Sequence, residues 1–176
     1  RGDQARERFA GSRSSMMIVE NQLINLAGKN SIPLQTRLAA LWSLPAKATG
    51  PALGGLVDDR EPVLRTWAAR LIGEAQTQVR LLDKLAKDKD SAVRAATATA
   101  LRQMTAGSLT VDGKDPVPTR SLQDEYKELL ANHSVTGDFY YPHIVWMSLE
   151  PRVAQNPPQF FPVIGAHDNS VSAYCA

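Results

Sequence analysis

The chain has 176 residues, 43% of them hydrophobic and 22% charged, with a formal net charge of +2. That is enough apolar material for one sizeable core, and too little charge to argue for nucleic acid as a partner. No apolar run approaches the ~18 residues of a membrane-spanning helix, and the single cysteine, Cys175, excludes an internal disulfide, a cysteine-rich zinc site and C-x-x-C-H haem attachment.

Residues 1–15 show no apolar period and read as the remnant of an upstream region. Nothing after Arg1 has the basic-then-apolar layout of a signal peptide, so the chain reads as a piece of a longer protein. Residues 15–27 predict a first helix, with Met16, Val19, Leu23 and Ala27 on one face. The comb returns less regularly in 31–44 (Leu34, Leu38, Leu41, Leu44) and clearly in 61–72 (Leu64, Trp67, Ala68, Leu71, Ile72). It is most regular in 91–104, through Val93, Ala96, Thr97, Ala100, Leu101 and Met104. Shorter helical stretches lie around 51–57 and 77–87. Ser31 ahead of Pro33, Asp59 ahead of Pro62, and Asp90 or Ser91 ahead of Val93 supply helix starts. No segment alternates with a period of two. The sequence predicts an all-α fold.

A break falls near residue 105. Residues 31–104 carry a net +4 and residues 105–176 a net −4, and seven of the eleven prolines lie from Pro116 onward. Thr105–Thr119 holds two Gly and two Pro without helical period, so a loop is expected over 105–120. C-terminal helices are then expected over 121–155. Ser121 caps the first, Asp124 and Glu125 sit in its first turn, and Leu122, Tyr126, Leu129 and Leu130 make its apolar face. Asp138 starts the second and Pro142 suits its first turn. Ile144, Val145, Met147 and Leu149 form an apolar body around Trp146, and Pro151 limits or kinks the helix. The tail 156–176 either folds back through Phe160 and Phe161 or continues into a further repeat.

The helices of 16–104 also repeat as units. Leu56–Arg65 lies over Leu85–Arg94 at an offset of 29 residues, and Arg37 precedes Arg65 by 28. Asp59 and Asp88 each stand six residues before an arginine, Arg65 and Arg94; before Arg37 that place is Ser31. An Asp in such a turn accepts from the free amides opening the next helix, while the Arg one turn inside reaches a neighbouring unit's turn. Repeated, this makes a polar ladder. Small pairs after each Arg (Ala39-Ala40, Ala68-Ala69, Ala95-Ala96) allow close helix approach. The pattern resembles the short kind of HEAT repeat, which implies an armadillo-type α-solenoid whose usual work is binding or bracing.

A second resemblance rests on Asp138 and the run Pro142-His143-Ile144-Val145-Trp146-Met147-Ser148-Leu149-Glu150-Pro151. Placed after HEAT-like repeats, it is similar to a segment of the putative membrane-bound dehydrogenases of planctomycetes and verrucomicrobia. The resemblance spans residues 31–155, with Met147 where a second Trp is common. It implies a parent with a sugar-dehydrogenase-like propeller upstream and a c-type cytochrome domain downstream. His143, Trp146 and Glu150 are the family-like positions. The implied parent is periplasmic, secreted or membrane-attached, and haem c belongs to it and not to this chain.

Chemistry-bearing patterns are sparse. His133, Asp138 and His143 are spaced by five residues but have a Gly-containing turn between them and no fourth ligand, so hydrogen-bonded histidines are the expectation. Cys175 sits in a polar tail, Gly54-Gly55 lacks a phosphate-loop pattern, and capping accounts for Asp58-Asp59. An alternative is a HEAT-like alkylpurine DNA glycosylase using Trp42, Trp67 and the basic residues of 31–104. Those residues alternate with acids, which makes a poor surface for phosphates. The expectation is a non-catalytic scaffold or protein-interaction module with no catalytic, cofactor or metal residues. Its partners are neighbouring domains or another protein, without nucleic acid or membrane insertion. A bare spacer between two domains is the plainer form of the same expectation.

Overall fold

The computed structural model describes residues 2–44, 53–106, 122–131 and 140–165, with side chains for 15–44, 53–104, 122–131 and 140–165. Every regular element among them is an α-helix: α1 (Gly2–Gly28), α2 (Leu34–Trp42), α3 (Leu53–Leu56), α4 (Pro62–Ala75), α5 (Arg80–Ala86), α6 (Ser91–Ala106), α7 (Gln123–Ala131), α8 (Tyr140–Gln155) and α9 (Pro157–Gly165). The fold is all-α. Two series of neighbours run through it, α4–α6–α8 and α5–α7–α9, and contacts between α5 and α6, α6 and α7, α7 and α8, and α8 and α9 tie them together. At the N-terminal end α1 packs on α2 and α3.

The apolar combs account for the packing. Val93, Ala96, Thr97, Ala100, Leu101 and Met104 of α6 are all buried, as are Leu64, Ala68, Leu71 and Ile72 of α4. Full burial of a Leu or Ile is worth about 1.5–3 kcal/mol, against about 1 kcal/mol for a helix cap. The faces therefore decide where these helices lie, and the caps follow. Of the expected starts, Asp90 caps α6, accepting from Ala92 N at 2.9 Å and Val93 N at 3.3 Å. Ser31 and Asp59 do not cap: the N-cap positions of α2 and α4 are Pro33 and Glu61, with no side-chain cap bond. Asp59 instead accepts from Glu61 N at 3.0 Å, two residues ahead of the N-cap position.

Three features depart from the expectations. Helix α1 starts at Gly2, because Gln, Ala, Arg and Glu favour helix without an apolar period to announce one. Its buried side chains are Ile24 and Ala27, while Met16 and Val19 are more than half exposed and Leu23 is half-buried. Of the small pairs, Ala40, Ala68, Ala69 and Ala96 are buried and Ala39 is exposed. The tightest approach is elsewhere: a Cβ on Gly73 would lie 2.8 Å from Ala100 Cα, so only glycine lets α4 meet α6 there.

Pro151 neither ends α8 nor leaves its loss unanswered. A proline inside a helix removes the donor to the carbonyl four residues back, here Met147. Arg102 Nη1 of α6 donates to Met147 O at 2.5 Å, and Tyr126 Oη of α7 donates to the adjacent Ser148 O at 2.7 Å. Tyr141 Oη of α8 donates in return to Leu129 O at 2.9 Å. In the tail, α9 lies against α7 and α8. Phe160 is buried edge-on to Tyr126, with ring centroids 6.0 Å apart, while Phe161 is exposed. Helix α6 runs on through Ala106, two residues into the expected loop, and the rest of that stretch, with Ser121, His133, Asp138 and Cys175, lies outside the described residues.

Candidate functional site

The arginines at ladder spacing occupy one connected polar system. Arg37 is buried, donates through Nε to Ala27 O at 2.6 Å, and pairs through Nη2 with the buried Asp59 carboxylate. Arg65 donates through Nη1 to Asp59 O at 2.7 Å, then grips Asp88 with two bonds, Nε–Oδ2 at 2.6 Å and Nη2–Oδ1 at 2.8 Å. Asp88 Oδ1 also accepts from Asp90 N at 2.9 Å. Arg94 Nη1 donates to Asp88 O at 2.7 Å, and its guanidinium lies 5.2 Å from the centre of the Tyr141 ring. Arg65 and Arg94 thus each clamp the carbonyl six residues before them, which is the reason for the repeated spacing. Burial pushes the Asp88 carboxyl up. The Arg65 bonds, the Asp90 amide and the charges of Arg65 and Arg94 outweigh burial and hold it below the usual carboxylate range. The same bond to Asp88 raises Arg65.

This system is buried and serves the stack. The accessible site is a groove of about 910 Å³ on the side where α2, α4, α6 and α8 meet. Trp42 and Trp67 form one wall, edge to face with centroids 6.2 Å apart. Ala92, Ala95, Ala96 and Thr99, one row of α6, line its middle, and Ile144 of α8 closes the far side. These small side chains recur at the 3–4 spacing of a helix face, so the wide middle of the groove is set by one helix. The Arg70 guanidinium lies 5.0 Å from the Trp67 ring centre, three residues along the same face. Further along α4, the Glu74 carboxylate accepts from Gln103 Nε2 at 2.8 Å.

The two tryptophans therefore belong to a groove, with Trp42 60% exposed. The family-like residues do not form a common site. His143 and Glu150 are exposed, while Trp146 is half-buried against the core. Among the described residues no group of three His, Cys, Asp or Glu side chains is arranged to hold a metal ion. No described helix is long and apolar enough to cross a membrane. Of the basic residues, Arg65 pairs with Asp88, Lys84 with Asp58, Lys87 with Asp83 and Arg60 with Glu61. Pattern reading missed Gly73, Tyr141, Arg102 and Arg70, and it placed Tyr126 on an apolar face without the bond its hydroxyl gives Ser148 O. Only Arg70 carried a signal, its i+3 placement from Trp67. Comparison with protein-family models, curated proteins and solved structures finds no match.

Proposed function

We propose that the chain is an α-solenoid of short HEAT-like helical pairs that works as a protein-interaction scaffold without catalytic residues of its own. The observation that carries this reading is the apolar groove of about 910 Å³, walled by Trp42 and Trp67 and crossing four helices. Its course across four helices and its mainly apolar lining suit a docked partner segment. The solenoid is supported by the α4–α6–α8 and α5–α7–α9 series and by rungs that join consecutive turns, Arg37 to Asp59 and Arg65 to Asp88. In the setting implied by the family resemblance, the partner is a neighbouring domain of a membrane-bound dehydrogenase-like polypeptide. The module then holds a sugar-oxidising propeller away from a cytochrome domain. One cysteine cannot supply C-x-x-C-H, so a c-type haem of the parent sits outside this chain.

Photo-crosslinking tests the scaffold. A benzophenone amino acid at Thr99, exposed in the groove, should yield a covalent adduct with another polypeptide or domain in cells making the parent protein. The same group at Arg80, exposed on α5, should not. Adducts from both sites alike, or from neither, would remove the groove as the docking face.

A further inference from the structure

Most polar groups of the groove are committed, although Gln103 Oε1, a buried acceptor beside Gly73, has no partner among the described residues. Thr66 Oγ1 donates to Pro62 O at 3.0 Å and Thr99 Oγ1 to Ala95 O at 3.1 Å, each within its own helix. The Glu74 carboxylate holds the Gln103 amide, and Gln103 O accepts from Gln76 Nε2 at 2.9 Å. Arg70 differs. Its guanidinium lies over the Trp67 ring, and no described residue accepts its N–H groups. The ring covers one face of the guanidinium and leaves in-plane donors that match a carboxylate fork.

From this complementarity we infer that the groove takes a peptide segment of a protein partner that combines apolar and acidic side chains. Apolar side chains lie against Trp42, Trp67 and the alanine row, and one carboxylate pairs with Arg70. The inference rests on the interaction-module reading above. A single cation cannot neutralise a nucleic-acid backbone. Glu74, one turn along α4, opposes a doubly charged phosphate and leaves a lone carboxylate as the best match. A neutral peptide would cover Arg70 without satisfying it, which disfavours binding.

The test uses the chain labelled with ¹⁵N and two pools of capped octapeptides, one randomised over Leu, Phe and Asp, the other over Leu, Phe and Asn. The three tryptophans give three indole N–H signals; Trp42 and Trp67 report the groove, and Trp146, which does not line it, is the reference. The acidic pool should shift Trp42 and Trp67 at about tenfold lower concentration than the amide pool. Arg70→Gln, at an exposed position, should erase that difference while leaving the spectrum folded. Equal titration of the wild type by both pools overturns the acidic partner and leaves the groove as a docking face. Silence at Trp42 and Trp67 with either pool overturns both readings. Shifts on concentrating the protein alone make a second copy the occupant and overturn the inference.

Discussion

The two halves of the molecule join their helices by different chemistry. From α2 to α6 the turns are tied by buried ion pairs, Arg37–Asp59 and Arg65–Asp88, with each carboxylate also holding a backbone amide. From α6 to α9 the ties end on backbone carbonyls or aromatic rings: Tyr126 to Ser148 O, Tyr141 to Leu129 O, Arg102 to Met147 O, and Tyr126 against Phe160. Arg94 stands at the changeover, with one N–H on the Asp88 carbonyl and its guanidinium over the Tyr141 ring. A charge-based join is strong when complete and damaging when halved, because the surviving ion stays buried. A phenol–carbonyl join leaves only a neutral group unpaired when it is lost. One helical stack thus joins its turns by buried ion pairs at one end and mainly by carbonyl and aromatic contacts at the other.

The sharpest break should come from Arg37→Ala, which strands the Asp59 carboxylate in the core. A loss of about 3–5 kcal/mol in urea unfolding is expected, and a loss under 1 kcal/mol would refute the ionic account of this half. Arg94→Ala removes the clamp on the Asp88 carbonyl and the contact with Tyr141. Thermal melts should show about 2 kcal/mol of destabilisation, and an unchanged melt would sink the ladder. Tyr126→Phe removes the buried bond from the phenol to Ser148 O beside Pro151, so about 1–2 kcal/mol should be lost. That loss should be independent of salt; salt dependence would erase the contrast between the halves.

The mildest test is acid. Because the folded Asp88 carboxyl lies below its ordinary value, the folded state binds that proton less readily than the unfolded chain. Its stabilisation is complete above the unfolded carboxylate value of about 3.9 and drains away as pH falls through the lower folded value. Amide exchange across that window should loosen the turns before α4 and α6 ahead of α7 and α8. Asp88→Asn should flatten the acid dependence. Simultaneous loosening of both halves would show that the pair does not set it.

Much of this was legible in local spacing. The 3–4 combs placed α2, α4 and α6 to within a few residues, since a helix buries one face and that face repeats every 3.6 residues. The six-residue interval from Asp59 to Arg65 and from Asp88 to Arg94 is equally local, since the arginine clamps the carbonyl at the start of that interval. The comb in α1 misled because Met16 and Val19 are more than half exposed; periodicity reports an apolar face, not whether a neighbour covers it. Asp59 and Ser31 misled as caps because Glu61 and Pro33 already occupy those positions.

The groove belongs to a different level. Trp42, Arg70, Thr99 and Ile144 sit on four helices, and no interval along the chain relates them. Gly73 reads as an ordinary helix glycine until Ala100 is set against it. Pro151 reads as a stop until Arg102 and Tyr126, from two other helices, serve the carbonyls around Met147. Helix positions and ladder spacing follow from bonds and faces within a few turns of chain. The groove, the close approach and the tolerated proline come from helix–helix packing, which brings together groups whose separation in sequence carries no period.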